Sequence, residues 1–347
     1  MPNSKKFPYG FLIALLLILV FEFANACFDN YFYSPAAEWP FTPFEGLRLK
    51  LKNDLALSKE KAFDIIILGD SHGHISIIPK TIEEKTLLTC FNFSLFGAQG
   101  TLAPYWMFRN YLKSHDTKPK YVIVEFSPFL EQIYPPEEIS ANALTRFYDF
   151  KKGNIKAFIE EYGVVKGIKF MLPSLKHQER LKDFIKNPLA VEIPSKTQLA
   201  DFSNQFYFDK GYYPKEANKS YPPKSKESGY EAFFRFNIDK FSMSPFMQKY
   251  LRGILDLAKE NQIKIIYYIP PHPPYLYDIP KVSGYIRQHD DFINSLKKEY
   301  PDFFIINPRD MFKQNDLFLD IYHLNGKGAP LLSEFLAGKI NELNRQE

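Results

Sequence analysis

The segment Phe63–His74 has the sequence FDIIILGDSHGH, a continuous apolar run that ends in small and polar residues. Such a run is typical of a strand covered on both faces, as in a parallel sheet. Gly69 and Gly73 permit a tight turn after the strand, and Ser71 lies in that turn. Ser71 is therefore a candidate nucleophile, because catalytic residues gather at the carboxyl ends of parallel strands. The same residue types also form purely structural turns, and the segment alone leaves that alternative open.

Four further apolar runs and several helical patterns follow along the chain. The other predicted strands are Leu88–Phe93, Tyr121–Glu125, Ile263–Ile269 and Phe303–Asn307. The predicted helices are Thr101–Lys113, Ser244–Asn261, His289–Tyr300 and Pro330–Leu343. Ser244 and Pro245 supply an N-cap and a first-turn proline to the second of these helices. The alternation predicts an α/β fold of three layers, α/β/α, with a five-stranded parallel sheet.

The alternation is interrupted between about residues 133 and 243, where no strong strand pattern occurs. Short helical patterns occur at Asn154–Leu172 and His177–Ile185, and an irregular segment rich in Tyr, Pro and Lys follows at Tyr207–Ser228. We expect a helical insertion between the third and fourth strands of a domain that covers residues 63–347. The irregular segment either shapes substrate access or is a surface excursion without contact to the site.

The N-terminal residues 1–27 have the features of an export signal. Two lysines precede the apolar run Tyr9–Phe21, which as a helix covers roughly 20 Å and is too short to span a bilayer. Three alternatives remain: a signal peptide cleaved after Ala24–Ala26, an anchor extended to Cys27, or a lipoprotein signal with Cys27 lipidated. Each predicts an exported protein, anchored or cleaved at the membrane, with residues 28–62 as a linker and lead-in segment.

The composition restricts the class of protein. The chain has 347 residues, of which 45% are hydrophobic and 24% charged, so it is long enough for a folded domain and is neither disordered throughout nor a polytopic membrane protein. The net charge of +4 is small and dispersed, which argues against nucleic acid as a partner. The 22 Tyr residues exceed what a core requires, and the surplus can line surfaces that meet sugars or membrane.

A second polar segment, Asp320–Asn325 (DIYHLN), follows the fifth predicted strand. A serine hydroxyl is a poor nucleophile near neutral pH unless an imidazole accepts its proton and a carboxylate orients that imidazole. Asp320 and His323 can supply both groups from one loop. Their structural alternatives are a turn aspartate and a capping histidine.

Three sequence motifs together resemble the SGNH/GDSL hydrolase superfamily: Gly69–Ser71 (GDS), Asn92–Gly97 (NFSLFG) and Asp320–His323 (DIYH). The resemblance implies a three-layer fold with a flavodoxin-like strand order. It also implies that Ser71 is the nucleophile, that Asp320 orients His323, and that the backbone amides of Ser71 and Gly97 form the oxyanion hole.

One motif of the superfamily is missing. Where the family has G-x-N-D after the third strand, this chain has Val124–Pro128 (VEFSP). Each lost oxyanion donor can cost about two to three powers of ten in turnover, so Ser127 or the amide of Ala98 would have to substitute. A similar departure occurs in membrane-anchored SGNH-like proteins of alginate O-acetylation and of D-alanine transfer to teichoic acid. The resemblance therefore implies an envelope esterase or O-acyltransferase acting on an acylated polymer or a small ester, with a membrane acyl-donor protein as partner.

Other polar residues at the predicted active edge are accessory candidates: Asp70, Asn92, Glu125, Ser127 and His272. A carboxylate at the end of a buried strand needs a partner, so Glu125 is expected either to bind the amides of the nucleophile turn or to touch the substrate. His272 lies between prolines after the fourth strand, and it either contacts the substrate or belongs to a rigid loop. Arg309, after the fifth strand, has the same two alternatives.

Two further functions stay open from the sequence. Asp70, His72 and His74 resemble the first motif of metallophosphoesterases, but the later motifs G-D-x-x-D and G-N-H are missing from the sequence. We therefore expect no metal or other cofactor, and we expect His72 and His74 to be turn residues at the pocket mouth. The second alternative is a non-catalytic envelope protein that keeps the scaffold as a binding or assembly module.

Overall fold

The computed structural model describes residues 10, 13–22, 43–59, 61–95, 101–128, 163–165, 195–213 and 240–346. The chain forms two compact units, Met1–Lys50 with Ala141–Asp201 and Leu51–Ser140 with Phe202–Glu347. In the first unit, residues 13–22 are helical and most of their apolar side chains are exposed. Across the described ranges, none of the helices combines the length and the apolar character that crossing a membrane requires.

The second unit contains a five-stranded parallel sheet with the strand order β2-β1-β3-β4-β5. The strands are β1 Ile65–Gly69, β2 Cys90–Asn92, β3 Tyr121–Glu125, β4 Lys264–Tyr268 and β5 Phe303–Ile306. This sheet confirms the predicted α/β class, and the order is the flavodoxin-like one. The order reverses at β1, whose two neighbours lead to opposite edges of the sheet, and this reversal opens a crevice beyond the carboxyl ends of the central strands.

The strands are continuous apolar runs because both faces of the sheet are covered. Ile65 and Ile67 of β1 belong to one core cluster with Tyr121 and Ile123 of β3, and the alternate residues of both strands are equally buried on the other face. Gly69 of β1 is paired with Glu125 of β3, the last residues of their strands. This register brings the Glu125 carboxyl to the turn that follows β1.

Besides the helical residues 13–22 and 163–165, the described ranges contain nine α-helices. They are α1 Pro43–Leu57, α2 Ser71–Ser76, α3 Pro79–Thr86, α4 Leu102–Ser114, α5 Lys196–Phe208, α6 Pro245–Glu260, α7 Pro274–Tyr277, α8 Pro280–Leu296 and α9 Gly328–Asn344. The Ser244 side chain caps α6 by accepting the N–H of Met247, as predicted. Helix α8 begins nine residues before the predicted His289, at Pro280, where a proline is favoured in the first turn of a helix.

The helices form the two outer layers of the fold. Helix α9 packs against α3, and the Ser333 hydroxyl on α9 accepts the N–H of Ile78 at 2.8 Å. On another side, α4 packs against α6, where the absence of a side chain at Gly253 makes room for the Tyr105 ring. The segment that follows α8 is tied to α6 by a hydrogen bond of 2.8 Å from the Tyr300 hydroxyl to Asp256.

The predicted insertion of about 133–243 lies largely outside the described residues. This applies to Asn154–Leu172 apart from residues 163–165, to His177–Ile185, and to Tyr207–Ser228 beyond Tyr213. The beginning of the last segment differs from the prediction, because Tyr207 and Phe208 are the final residues of helix α5. After this helix the chain covers the outer edge of β2, where the Asn92 N–H donates to the Lys210 carbonyl at 2.9 Å.

Candidate active site

The turn after β1 presents Ser71 as the first residue of α2. The Asp70 side chain caps this helix by accepting the N–H of His72 at 2.8 Å. A side chain at Gly69 would place its Cβ 2.3 Å from the Glu125 carbonyl oxygen, so only glycine lets β1 end this close to β3. The sequence G-D-S therefore fixes the Ser71 hydroxyl beyond the carboxyl end of a central strand.

The structure brings Ser71, His323 and Asp320 together in one chain of hydrogen bonds. The distance from Ser71 Oγ to His323 Nε2 is 2.8 Å, and His323 Nδ1 lies 2.8 Å from Asp320 Oδ2. Burial alone would raise the pKa of Asp320, but attraction to His323 and hydrogen bonds from the His323 ring and two backbone amides lower it well below its usual value. Asp320 is therefore an ionised acceptor, so Nδ1 of His323 carries a proton and Nε2 accepts the Ser71 hydroxyl proton.

Asn325 holds the loop that carries this pair, a role that sequence reasoning did not assign to it. Its side-chain amide donates to the Asp316 carbonyl at 2.7 Å, and its Oδ1 accepts the N–H groups of Lys327 and Gly328. The loop is also closed by a hydrogen bond of 2.8 Å from the Leu319 N–H to the His323 carbonyl. The side chain thus ties both ends of the loop to the start of α9.

Two buried carboxyl groups, Asp70 and Glu125, lie beneath the nucleophile turn. Glu125 Oε1 accepts the N–H of Asp70 at 2.9 Å and that of Gly73 at 2.6 Å, which is the amide-binding alternative of the two expected for Glu125. Burial, together with the nearby charge of Asp70, raises the pKa of Glu125 well above its usual value. Asp70 behaves in the opposite way: its burial is outweighed by attraction to His72 and by hydrogen bonds, which lower its pKa. One proton is therefore held by Glu125 while Asp70 is ionised.

The other accessory candidates have structural contacts. Asn92 donates to the carbonyls of Gly73 and Ile77 at 2.8 and 3.1 Å and thereby fixes the length of α2. The Ser127 N–H donates to Asp70 Oδ2 at 2.5 Å, so this amide is committed to the turn. Gly97 and Ala98, the other oxyanion candidates, lie outside the described residues.

His72 and His74 do not lie at a pocket mouth as expected, since both are buried within α2. The His72 ring Nδ1 lies 2.9 Å from Asp70 Oδ1, whereas His74 Nδ1 lies 3.0 Å from the Lys52 amino group. Lys52 is fully buried and also donates to the Ser94 carbonyl at 2.5 Å, which joins α1 to the segment after β2. Sequence reasoning missed Lys52 because its segment was predicted as a lead-in, and no local pattern indicates its partners.

His272 is fully buried, whereas the side chain of Arg309 is 20% exposed. The His272 ring packs edge-on against His72, with ring centroids 5.9 Å apart, and burial together with His72 and Arg309 lowers its pKa well below the usual value. The His272 N–H donates to the Tyr277 hydroxyl at 3.1 Å. Arg309 forms a two-point ion pair with Asp290, so its guanidinium has a structural partner.

Within the described ranges, one group of side chains could hold a metal ion, namely Asp70, His72 and Glu125. Three of its four carboxylate oxygens, Asp70 Oδ1 and Oδ2 and Glu125 Oε1, accept backbone N–H groups. Glu125 Oε2 and His72 Nε2 have no hydrogen-bond partner among the described residues. A metal bound through the other three oxygens would have to displace the bonds that hold the nucleophile turn. His74, the third ligand of the metallophosphoesterase alternative, is directed to Lys52 instead.

Comparisons with known proteins add the following. No protein-family model matches the sequence, and no curated protein is similar to it in sequence. Among solved structures, 17 chains are similar to this one. One is the crystal structure of a "putative acylhydrolase" from Bacteroides fragilis, with 10% sequence identity, a TM-score of 0.38, and coverage of 88% of this chain and 99% of the other.

Proposed function

We propose that this protein is a serine enzyme that transfers acyl groups through an acyl-Ser71 intermediate. The observation that carries the proposal is the hydrogen-bonded chain Ser71–His323–Asp320, with distances of 2.8 Å at both steps. Ser71 is 252 positions from His323 in the sequence, and the two side chains meet where the strand order of the sheet reverses. The arrangement supplies a nucleophile, a base and an ionised carboxylate in the order that acyl transfer requires.

The geometry supports a two-step reaction. His323 Nε2 accepts the Ser71 hydroxyl proton as Oγ attacks the acyl carbon, and the ionised Asp320 stabilises the resulting imidazolium. The imidazolium then protonates the leaving alcohol oxygen, and the acyl group remains on Oγ. In the second step His323 takes the proton of water or of an acceptor alcohol, whose oxygen displaces Ser71. The proton returns to Oγ, so the enzyme is restored.

The proposal extends to the cell envelope, as an esterase or an O-acyltransferase acting on a polysaccharide or another envelope polymer. Support comes from the apolar segment at residues 9–21, which resembles an export signal, and from the resemblance to the SGNH branch that modifies such polymers. A water acceptor makes an esterase and a sugar hydroxyl makes a transferase. A host strain with Ser71→Ala would lose acyl ester from its envelope if the protein is a transferase, and would gain ester if it is an esterase.

Labelling with a fluorophosphonate tests the serine enzyme directly. The wild-type protein should be labelled, and Ser71→Ala should not be, because the reagent reacts with an activated serine hydroxyl. Ser76→Ala is the matched control, since Ser76 is also a buried serine of α2, and it should be labelled like the wild type. Equal labelling of wild type and Ser71→Ala, or labelling of neither, would contradict the enzyme and leave the non-catalytic binding or assembly module.

A further inference from the structure

A second Asp–His pair, Asp70–His72, lies directly beside the proposed catalytic one. His72 Nδ1 is 2.9 Å from Asp70 Oδ1, and Asp70 also accepts the backbone N–H groups of His72 and Ser127 at 2.8 and 2.5 Å. A carboxyl group that receives three N–H donors acts as an ionised acceptor. Beside such an acceptor, the neutral form of the His72 ring would carry its proton on Nδ1, which leaves a lone pair on Nε2.

The Nε2 atom of His72 is a buried acceptor that lacks a hydrogen-bond partner among the described residues. The side chain is 2% exposed, so bulk water does not satisfy the atom. An unpaired buried polar atom is costly, and such an atom beside a reaction centre indicates a group supplied by a ligand. The proposed catalytic mechanism does not use His72 Nε2.

The His72 ring packs beside His323, the proposed base. The His72 and His323 ring centroids are 5.2 Å apart, and Tyr322 and His272 pack against the same ring at 6.4 and 5.9 Å. In the proposed function, His323 Nε2 serves both Ser71 Oγ and the oxygen of the leaving or accepting alcohol. Because the His72 ring packs against the His323 ring, we expect the alcohol part of the ester to come nearest to it.

We propose that His72 Nε2 accepts a hydrogen bond from a hydroxyl group on the carbon next to the ester-bearing carbon of the substrate. The substrate class is then the ester of a vicinal diol, as in an acylated sugar or glycerol unit. The inference rests on the proposed function and deepens it, because it assigns a specificity residue to the alcohol side of the site. Asp70 contributes by holding the ring in the tautomer that leaves Nε2 free to accept.

A matched pair of small esters tests this assignment. 2-Hydroxyethyl acetate carries the neighbouring hydroxyl, and 2-methoxyethyl acetate replaces its proton with a methyl group. The wild-type enzyme should prefer the hydroxy ester by about tenfold or more in kcat/KM, the effect of one hydrogen bond to a buried group. His72→Asn keeps a side-chain N–H near the position of Nδ1 for Asp70 but removes Nε2, so the two esters should react at similar rates.

Two further variants separate recognition from stability. His289→Asn changes another buried histidine beside an aspartate, with Nδ1 3.3 Å from Asp290 Oδ1, and should keep the wild-type preference. His72→Gln places an amide oxygen near the position of Nε2, and it should recover part of the preference. If His72→Asn fails to fold, the wild-type ratio and the glutamine variant still decide the question.

The outcomes distinguish this inference from the function on which it rests. Equal hydrolysis of both esters by the wild type, or an unchanged preference in His72→Asn, would overturn the inference alone. Labelling of Ser71 by a fluorophosphonate without turnover of either ester would also overturn the inference and keep a serine enzyme. Neither labelling nor turnover would remove the proposed function and the inference together.

Discussion

In the proposed mechanism, the Asp320 carboxylate acts on the reaction only through the His323 ring that it orients. In Asp320→Asn the side-chain N–H₂ cannot accept the Nδ1 proton, so the variant favours the tautomer with its proton on Nε2, which cannot accept the Ser71 hydroxyl proton. We expect kcat for ester hydrolysis to fall by about 10⁴-fold, with little change in KM. Steady-state kinetics on a small acetate ester measures both values.

The control for this variant is Asp316→Asn in the same loop region. The Asp316 side chain is 54% exposed and pairs with Lys327 at 2.9 Å, an exposed ion pair whose loss should leave kcat near the wild-type value. An Asp320→Asn enzyme as active as the Asp316→Asn enzyme would show that the His323 tautomer does not matter to the reaction.

Glu125 gives a prediction about stability and pH. Burial and the charge of Asp70 raise its pKa well above the usual value, so the folded protein holds a proton that the unfolded chain releases. The stability of the wild type therefore falls as pH rises from the ordinary glutamate pKa toward the raised one. In Glu125→Gln the side chain keeps its oxygen for the amides of Asp70 and Gly73 but does not titrate.

We therefore expect the free energy of unfolding of Glu125→Gln, relative to the wild type, to increase as the pH rises from about 5, just above the ordinary glutamate pKa, through the neutral range. Urea unfolding at several pH values measures this difference, and comparing two proteins at each pH removes the contribution of groups that titrate equally in both. A difference that stays constant across this range would mean that Glu125 is ionised in the folded protein.

At the scale of elements, α2 and α9 each contain a glycine whose replacement should have opposite effects. A Cβ at Gly73 in α2 would lie 2.5 Å from Ser94 Oγ and 2.7 Å from Glu125 Oε1, whereas a Cβ at Gly338 in α9 meets nothing within 4 Å. Gly73→Ala should destabilise the protein by about 1–3 kcal/mol through overpacking. Gly338→Ala should stabilise it by about 0.5–1 kcal/mol, the ordinary helix propensity. Urea unfolding checks both signs.

The pair also has a functional readout. Gly73 lies two residues after Ser71 in α2, and its N–H is bound by Glu125. Gly73→Ala should therefore reduce the rate of fluorophosphonate labelling, and Gly338→Ala should leave that rate unchanged. Greater stability in both variants would show that the buried side of α2 can accommodate a methyl group.

The strands could be predicted from sequence because their burial on both faces produces continuous apolar runs. The bounds of β3 agree with the prediction at both ends, and β2 is shorter than predicted. Helix α3 was missed because its sequence, PKTIEEKT, is polar and buries mainly Ile82, so it lacks a clear apolar stripe. The early start of α8 was signalled by Pro280, which the prediction did not use.

The proposed nucleophile, base and carboxylate were recognisable because each follows a predicted strand within a short motif. The contacts that hold the nucleophile turn in place could not be predicted. The contact of Glu125 with the amides of Asp70 and Gly73 depends on the register of β1 against β3, which local sequence does not specify. Lys52 reaches the Ser94 carbonyl across 42 positions of sequence, and such pairs leave no local pattern.

At the scale of the whole molecule, the proposed export of the chain can be tested apart from its chemistry. Residues 1–62 fused to alkaline phosphatase, an enzyme that is active only outside the cytoplasm, should give phosphatase activity in a bacterial host. Leu16→Arg with Leu17→Arg places charges in the apolar run and should abolish that activity, since charged residues oppose insertion. An inactive wild-type fusion that accumulates as full-length protein would contradict export.

The hydroxyl of Ser71 and the imidazole of His323 are separated by 252 positions of sequence. A ribosome completes β1 and its turn long before it reaches the loop after β5. The nascent chain therefore carries the proposed nucleophile without the proposed base throughout most of translation. A premature stop codon between β4 and Asp320 would yield a product with four or five strands that lacks the proposed base, and cleavage between β3 and β4 would divide Ser71 and His323 between two fragments.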